Sequence, residues 1–91
     1  MTTLRKAAQA GTLESSDMLV NIAPAPAGAG ITVQLASPTM QQYGGHIKNV
    51  INGVLKECGV TDAVIDANDK GAVDFVIAAR VKTAVLRATE A

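Results

Sequence analysis

Few side chains in this sequence could act as a nucleophile, a base or a metal ligand. There is one histidine, His46, and one cysteine, Cys58. On a helix through this region Cys58 belongs to the apolar face and His46 to the margin of the polar face, so they cannot share a site without a second helix or a partner. One histidine is too few for a zinc site, and no glycine-rich segment ends like a phosphate-binding loop. Solvation and turn formation explain the aspartates of the C-terminal third better than acid–base chemistry does: Asp62, Asp66, Asp69 and Asp74. The sequence predicts no catalytic centre.

What the chain offers instead is a side chain that another enzyme could modify. A small domain without a catalytic site can act as a carrier by presenting one hydroxyl or amine on an accessible turn. Ser15 and Ser16, in a turn-prone Ser-Ser-Asp cluster, are one candidate, and Lys70 in Asp-Lys-Gly is the other. Lys70 looks slightly like the lysine turn of lipoyl carrier domains, but those domains are all-β. An ordinary solvated lysine is the better interpretation of Lys70.

The elements that must position these residues begin with strands. Residues 18–23 and 31–35 alternate apolar and polar side chains, as half-buried strands do, and residues 63–67 form a third short strand. Residues 1–10 form a short segment that is polar and rich in alanine, and could be a frayed lead-in. Residues 8–14 are a candidate extra first strand. These strands contradict the four-helix bundle of conventional phosphopantetheine carriers, and the Asp-Ser-Leu tripeptide of those carriers is missing.

A helix is predicted between the second and third strands. Ser37 as N-cap and Pro38 at the first helical position begin it, and Gly59 ends it as a C-terminal cap. Its apolar residues recur at spacings of three and four, which puts them on one face: Met40, Tyr43, Ile47, Val50, Ile51, Val54, Leu55 and Cys58.

The segment from residue 72 to residue 89 is ambiguous. Residues 73–77 could be a strand that forms a hairpin with residues 63–67. A helix is preferred because Asp74 would lie in its first turn, with its basic residues in later turns, which complements the helix dipole. The residues that share the apolar face of this helix are Val73, Ile77, Val81, Ala84 and Ala88.

These elements predict one α+β domain over residues 1–91, of order β-β-α-β-α. It is a two-layer sandwich: a small, mainly antiparallel sheet of three to four strands with two helices packed on one face. Lys plus Arg equals Asp plus Glu at 8 each, which gives no basic excess for nucleic acid and no polybasic patch for a membrane. No apolar run approaches the ~20 residues that span a bilayer. A single cysteine fits a reducing compartment, so we expect a cytoplasmic protein.

The segment from Gly11 to Asp17 reads Gly-Thr-Leu-Glu-Ser-Ser-Asp. It resembles the citrate lyase acyl carrier proteins, the gamma subunits, whose hallmark is Gly-Thr-Leu-Glu-Ser followed one residue later by Asp. The sequence departs from that family at Phe75, where Cys is frequent, and at Ala78, where Arg is frequent. The resemblance continues in order through nearly the whole chain: Gln42-Tyr43-Gly44 with Ile47, Asn68-Asp69-Lys70-Gly71-Ala72 with Asp74, and Ala79-Arg80-Val81.

The resemblance implies that Ser15 carries a phosphoribosyl-dephospho-CoA arm through a phosphodiester, with Ser16 at a variable position. It also implies the partners: a prosthetic-group transferase, an alpha subunit that transfers acyl groups and a beta subunit that cleaves the citryl group. The thiol of the arm would hold acetyl, exchanged for citryl at one partner and regenerated at the other. The chain itself would be non-catalytic.

Glu14 and Asp17 flank the proposed attachment serine. Negative charge does not attract a phosphate, so we interpret both as handles for a basic partner surface. Asp17 is expected to be exposed and to matter for recognition more than for folding. The alternatives are that both are merely solvated, or that Asp17 caps the turn through a backbone hydrogen bond.

Two other functions remain open for the whole chain. It could be a small interaction or adaptor domain with Ser15 bare or phosphorylated. It could also be the carrier subunit of a citramalate lyase or of a malonate decarboxylase, although the malonate decarboxylase carriers lack the Thr-Leu-Glu-Ser run.

Overall fold

A computed structural model describes residues 2–90 and contains a four-stranded sheet with two helices. The elements in chain order are β1 (Ala8–Ala10), β2 (Met18–Pro24), β3 (Ile31–Ala36), α1 (Met40–Glu57), β4 (Ala63–Asp69) and α2 (Asp74–Thr89). The predicted α+β fold is confirmed, and β1 is the extra first strand, shorter than the predicted 8–14.

The sheet has the strand order β1-β2-β4-β3. β2 pairs antiparallel with β1 and with β4, whereas β3 pairs parallel with β4 because α1 forms the crossover between them. Ile22 lies opposite Ile65, and both are buried on the face that the helices cover. Asn21 lies opposite Asp66 on the other face, which is exposed. Each strand therefore alternates between the core and solvent.

α1 buries only part of its predicted apolar face. Ile47, Ile51 and Leu55 are in the core, whereas Met40 and Tyr43, at its N-terminal end, are exposed. The C-terminal cap is confirmed by two backbone bonds, from residue 59 to residue 56 and from residue 60 to residue 55. Together with the φ of 76° at residue 59, these bonds form a Schellman motif, which a glycine accommodates without strain.

The predicted N-cap of α1 is wrong. The cap residue is Thr39, and its side chain makes no capping hydrogen bond. The Ser37 hydroxyl accepts the N–H of Thr39 at 3.2 Å and donates to Asp69 at 2.8 Å. Ser37 therefore ties the loop after β3 to the end of β4.

The preference for a helix after residue 73 is confirmed by α2. Ile77, Val81, Ala84 and Ala88 are buried as predicted, but Val73 precedes the helix and is 55% exposed. The helix packs against α1, β1 and β2. None of the helices within residues 2–90 is long and apolar enough to cross a membrane.

The prediction of a frayed N-terminal segment is wrong for the residues that the structure describes. Thr2 forms an isolated parallel bridge with Val60, and Leu4 is buried in the core. The N–H of Arg5 donates to the carbonyl of Ala88 at 2.8 Å, beside the end of α2. Burial of Leu4 and these backbone bonds offset the entropy of ordering the segment. Met1, which the prediction included, lies outside the described residues.

Candidate modification site

Ser15 lies at the tip of a turn between β1 and β2. The N–H of Asp17 donates to the carbonyl of Glu14 at 3.2 Å and closes a four-residue turn. Ser16 has a φ of 66°, the positive value that the third residue of a type II turn requires. The side-chain hydrogen bonds of this loop are made by Thr12 and Asp17. Ser15 is exposed, and its hydroxyl has no hydrogen-bond partner within the described part of the chain.

Two backbone hydrogen bonds hold this turn against the residue that follows β4. The N–H of Ser16 donates to the carbonyl of Lys70 at 2.8 Å, and the N–H of Lys70 donates to the carbonyl of Asp17 at 2.9 Å. Two residues, Ser16 and Asp17, therefore lie opposite the single residue Lys70. This arrangement is a β-bulge whose first residue, Ser16, has a left-handed backbone conformation. The bulge continues the β2–β4 pairing into the turn, so Ser15 stands on a fixed backbone.

Gly11 is the residue that lets the loop fold back on β2. Its φ is 91°, and a Cβ at this position would lie 1.8 Å from the carbonyl oxygen of Met18. No side chain can be accommodated at that distance without moving one of the two segments. The first residue of the Gly-Thr-Leu-Glu-Ser run is therefore required by backbone packing.

The Asp17 carboxylate is enclosed and fully bonded. One oxygen accepts the N–H of Met18 at 2.7 Å and Nε of Arg80 at 2.8 Å. The other accepts the Thr12 hydroxyl at 2.7 Å and Nη2 of Arg80 at 3.1 Å. The hydrogen bond from Arg80, followed by those from Thr12 and Met18, holds the pKa of Asp17 well below its ordinary value. The same pair raises the pKa of Arg80.

The expectation that Asp17 is exposed is wrong, because the residue is 9% exposed. Its carboxylate joins the loop to α2 through a two-point ion pair, so it contributes to folding. The backbone hydrogen bond considered as an alternative is present, although it is only one of four. Glu14 is exposed and free to meet a partner. A recognition role for either carboxylate stays a prediction.

A second enclosed carboxylate, Asp69, organises the other side of the site. It is 1% exposed and accepts hydrogen bonds from the Ser37 hydroxyl and from the N–H groups of Gly71 (3.2 Å) and Ala72 (2.9 Å). Turn formation therefore explains Asp69, whereas surface solvation does not. The Asp-x-Gly spacing was the signal for this turn, but nothing local indicated that Ser37 would be the partner.

Ser15 borders a shallow, open depression between the turn and the end of the sheet. Its lining includes Leu13 from the loop, Ser37 and Pro38 after β3, and Lys70 after β4. The two candidate attachment residues, Ser15 and Lys70, are thus brought together at one surface. This surface therefore presents a hydroxyl and an exposed cation side by side in one open depression.

The remaining residues singled out for chemistry do not join this site. His46 forms an exposed hydrogen bond with Asp74, with Nε2 2.9 Å from the carboxylate. Cys58 directly follows the last residue of α1, at the helix end that Gly59 closes. Among residues 2–90, no group of three or more His, Cys, Asp or Glu side chains could hold a metal ion.

Comparison with known proteins assigns the chain to a family. The family model described as malonate decarboxylase delta subunit (MdcD) matches residues 5–88. The chain is 52% identical to the citrate lyase acyl carrier protein of Pectobacterium atrosepticum over an alignment of 85 residues, which covers 93% of this chain and 86% of the relative. It is 42% identical to the citrate lyase acyl carrier protein of Lacticaseibacillus casei over 87 residues, which cover 96% of this chain and 84% of the relative. The fold matches a chain in the crystal structure of a Pseudomonas malonate decarboxylase hetero-tetramer in complex with malonate, with a TM-score of 0.72, 21% identity, and 94% and 87% of the two chains covered. The chain belongs to the family of citrate lyase acyl carrier proteins.

Proposed function

We propose that this chain, as one domain over residues 1–91, is the acyl carrier subunit of a citrate lyase complex and carries its acyl groups on an arm attached to Ser15. The observation behind this proposal is the Ser15 hydroxyl, exposed and without a hydrogen-bond partner among the described residues, on a turn with a fixed backbone. Sequence identities of 52% and 42% to citrate lyase acyl carrier proteins support the choice of complex.

The arm that we propose is phosphoribosyl-dephospho-CoA, joined to Ser15 by a phosphodiester. The residues present fit such a group, because the Ser15 hydroxyl is accessible and the adjoining depression offers the Lys70 ammonium for a phosphate. When attached, the arm supplies a thiol on which an acyl group is held as a thioester.

Attachment requires chemistry that this chain does not bring to Ser15. The Ser15 oxygen forms the bond to phosphorus, its proton leaves to a base, and the leaving group departs from the phosphorus. Of the two carboxylates in this turn, Asp17 is occupied by Arg80, Thr12 and the backbone, and Glu14 is exposed to solvent. We therefore assign the base and the activated donor to a separate prosthetic-group transferase.

The chain's contribution to turnover, on this proposal, is tethering without catalysis. A carrier keeps its acyl group at high effective concentration for two partner active sites, those of the alpha acyl transferase and the beta citryl lyase subunits. The rigid turn at Ser15 gives both partners the same starting point for the arm, and Glu14 offers a charge for docking.

Intact-mass analysis after co-expression with a citrate lyase prosthetic-group transferase tests the attachment. We expect wild type to gain the mass of the arm, Ser15→Ala to gain nothing, and Ser16→Ala to be modified like wild type. Ser16→Ala is the matched control because it removes the same atom from the same turn. Loss of the added mass in Ser16→Ala alone would move the site by one residue. An unmodified or merely phosphorylated wild type would support the adaptor alternative.

The match to the malonate decarboxylase family model supports a second candidate complex. Reconstitution separates the two: the arm-bearing chain should restore citrate cleavage to citrate lyase alpha and beta subunits. Restoration of malonate decarboxylation to a decarboxylase depleted of its carrier, without any effect on citrate lyase, would reverse the assignment.

A further inference from the structure

Lys70 occupies a fixed place beside the turn that bears Ser15. Its carbonyl accepts the N–H of Ser16 at 2.8 Å, and its N–H donates to the carbonyl of Asp17 at 2.9 Å. The backbone of Lys70 is therefore held on both sides, while its side chain is exposed and lines the same depression as Ser15.

The neighbouring charges leave Lys70 available. Asp69, which also lines the depression, is buried and bonded to a serine hydroxyl and two backbone N–H groups. Asp17 is paired with Arg80. Among the described residues that line the depression, Lys70 alone carries a positive charge. It takes part neither in the Asp17–Arg80 ion pair nor in the contact between His46 and Asp74. Glu14 is the exposed negative charge of the same turn.

We propose that Lys70 binds the phosphate through which the arm is attached to Ser15. The inference rests on the proposed function, because that phosphate is present only when the arm is. A phosphodiester carries one negative charge at neutral pH, and a lysine ammonium binds phosphate as a point charge without demanding a fixed geometry. Pairing with Lys70 offsets the repulsion that Glu14 exerts on the phosphate, and it directs the first part of the arm across the depression.

An exposed pair of this kind contributes little to stability, so the test has to read the ammonium group directly. We suggest labelling the full chain, with and without its arm, with an acylating reagent that reacts only with neutral amines, and quantifying each lysine by peptide mass spectrometry. A phosphate near the ammonium favours the charged, unreactive form. At low salt, Lys70 should react about three- to fivefold more slowly in the arm-bearing chain. Lys82 on α2, beside Thr2 and Thr3, is the internal control and should react equally in both forms.

Salt distinguishes charge pairing from simple coverage by the arm. In ~1 M salt the screening length falls to about 3 Å, and the protection of Lys70 should largely disappear. Protection that persists at high salt, or a Lys70 that reacts equally in both forms, overturns the inference while the added mass leaves the proposed function intact. Absence of the arm from wild type, as seen by intact mass, overturns both.

Discussion

Replacing Gly11 by alanine tests whether presentation of Ser15 depends on the close approach of the loop to β2. The new Cβ would lie 1.8 Å from the Met18 carbonyl oxygen, 2.9 Å from its carbon and 3.2 Å from Cδ of Arg80. A carbon–oxygen contact is comfortable only at roughly 3.3 Å or more, so the segments must separate by about 1.5 Å. That movement pulls on the loop that contains Thr12 and Asp17.

Two costs add up in this variant. An L-residue held at the φ of 91° loses about 1–2 kcal/mol relative to glycine. Relieving the overlap in a well-packed region costs about 1–3 kcal/mol more. The total of about 2–5 kcal/mol is a large share of the ~5–14 kcal/mol expected for a domain of this length.

Gly28→Ala is the matched control, because Gly28 has a φ of 86° and nothing lies within 4 Å of its Cβ position. It should lose only the backbone cost, about 1–2 kcal/mol. Urea unfolding followed by circular dichroism gives both free energies, and intact mass against time gives the rate of arm attachment. We expect Gly11→Ala to be modified several-fold more slowly at a temperature where it is folded, and Gly28→Ala to be modified like wild type. Equal destabilisation of the two variants, with equal rates of attachment, would refute the close-approach argument.

Two further variants test the ion pair and the core. Because the pKa of Asp17 is lowered from its ordinary 3.8, its charged form stabilises the fold above about pH 4, and this contribution is lost as the pH falls further. Asp17→Asn should therefore unfold at a lower urea concentration than wild type at pH 7, and the difference should shrink towards pH 2. The exposed control Asp66→Asn should show a much smaller change. A difference that does not depend on pH would contradict the pairing of Asp17 with Arg80. The core is tested by Leu55→Ala, at a position 1% exposed, which should lower the free energy of unfolding by about 2–5 kcal/mol, whereas Lys56→Ala on the exposed side should leave it nearly unchanged. A urea midpoint for Leu55→Ala within error of wild type would show that the core does not depend on this side chain.

The parts of the fold that could be predicted are those that depend on local patterns. Alternation in β2, the spacing of three and four in α1 and the glycine after it are set by neighbours within a few residues. The helical preference of α2 followed from the charge order along one segment, with Asp74 in its first turn. The register of the sheet and the burial of Leu4 depend on residues distant in sequence, and no local pattern indicated them.

The candidate site divides in the same way. Ser15 could be predicted as the attachment residue because turn chemistry and a family motif coincide at one place, and its modification stays a prediction. The partners of its loop could not be found, because Arg80 lies 63 residues from Asp17, and Ser37 lies 32 residues from Asp69. A buried carboxylate and an exposed one look alike in a sequence, since only the tertiary fold decides whether a hydrogen-bond donor is near.

The motif from Gly11 to Asp17 therefore contains two kinds of residue, which the sequence alone did not separate. Gly11 and Asp17 face inward, where one permits the close approach and the other binds Arg80. The exposed residues are Leu13, Glu14 and Ser15. Leu13 is apolar, yet it is 54% exposed. Residues of the first kind hold the turn and should alter stability when changed, whereas those of the second kind are available to the transferase that we propose for Ser15. An exposed leucine two residues from the proposed attachment point would give that transferase an apolar contact close to the hydroxyl, on a backbone that the inward-facing residues keep in place.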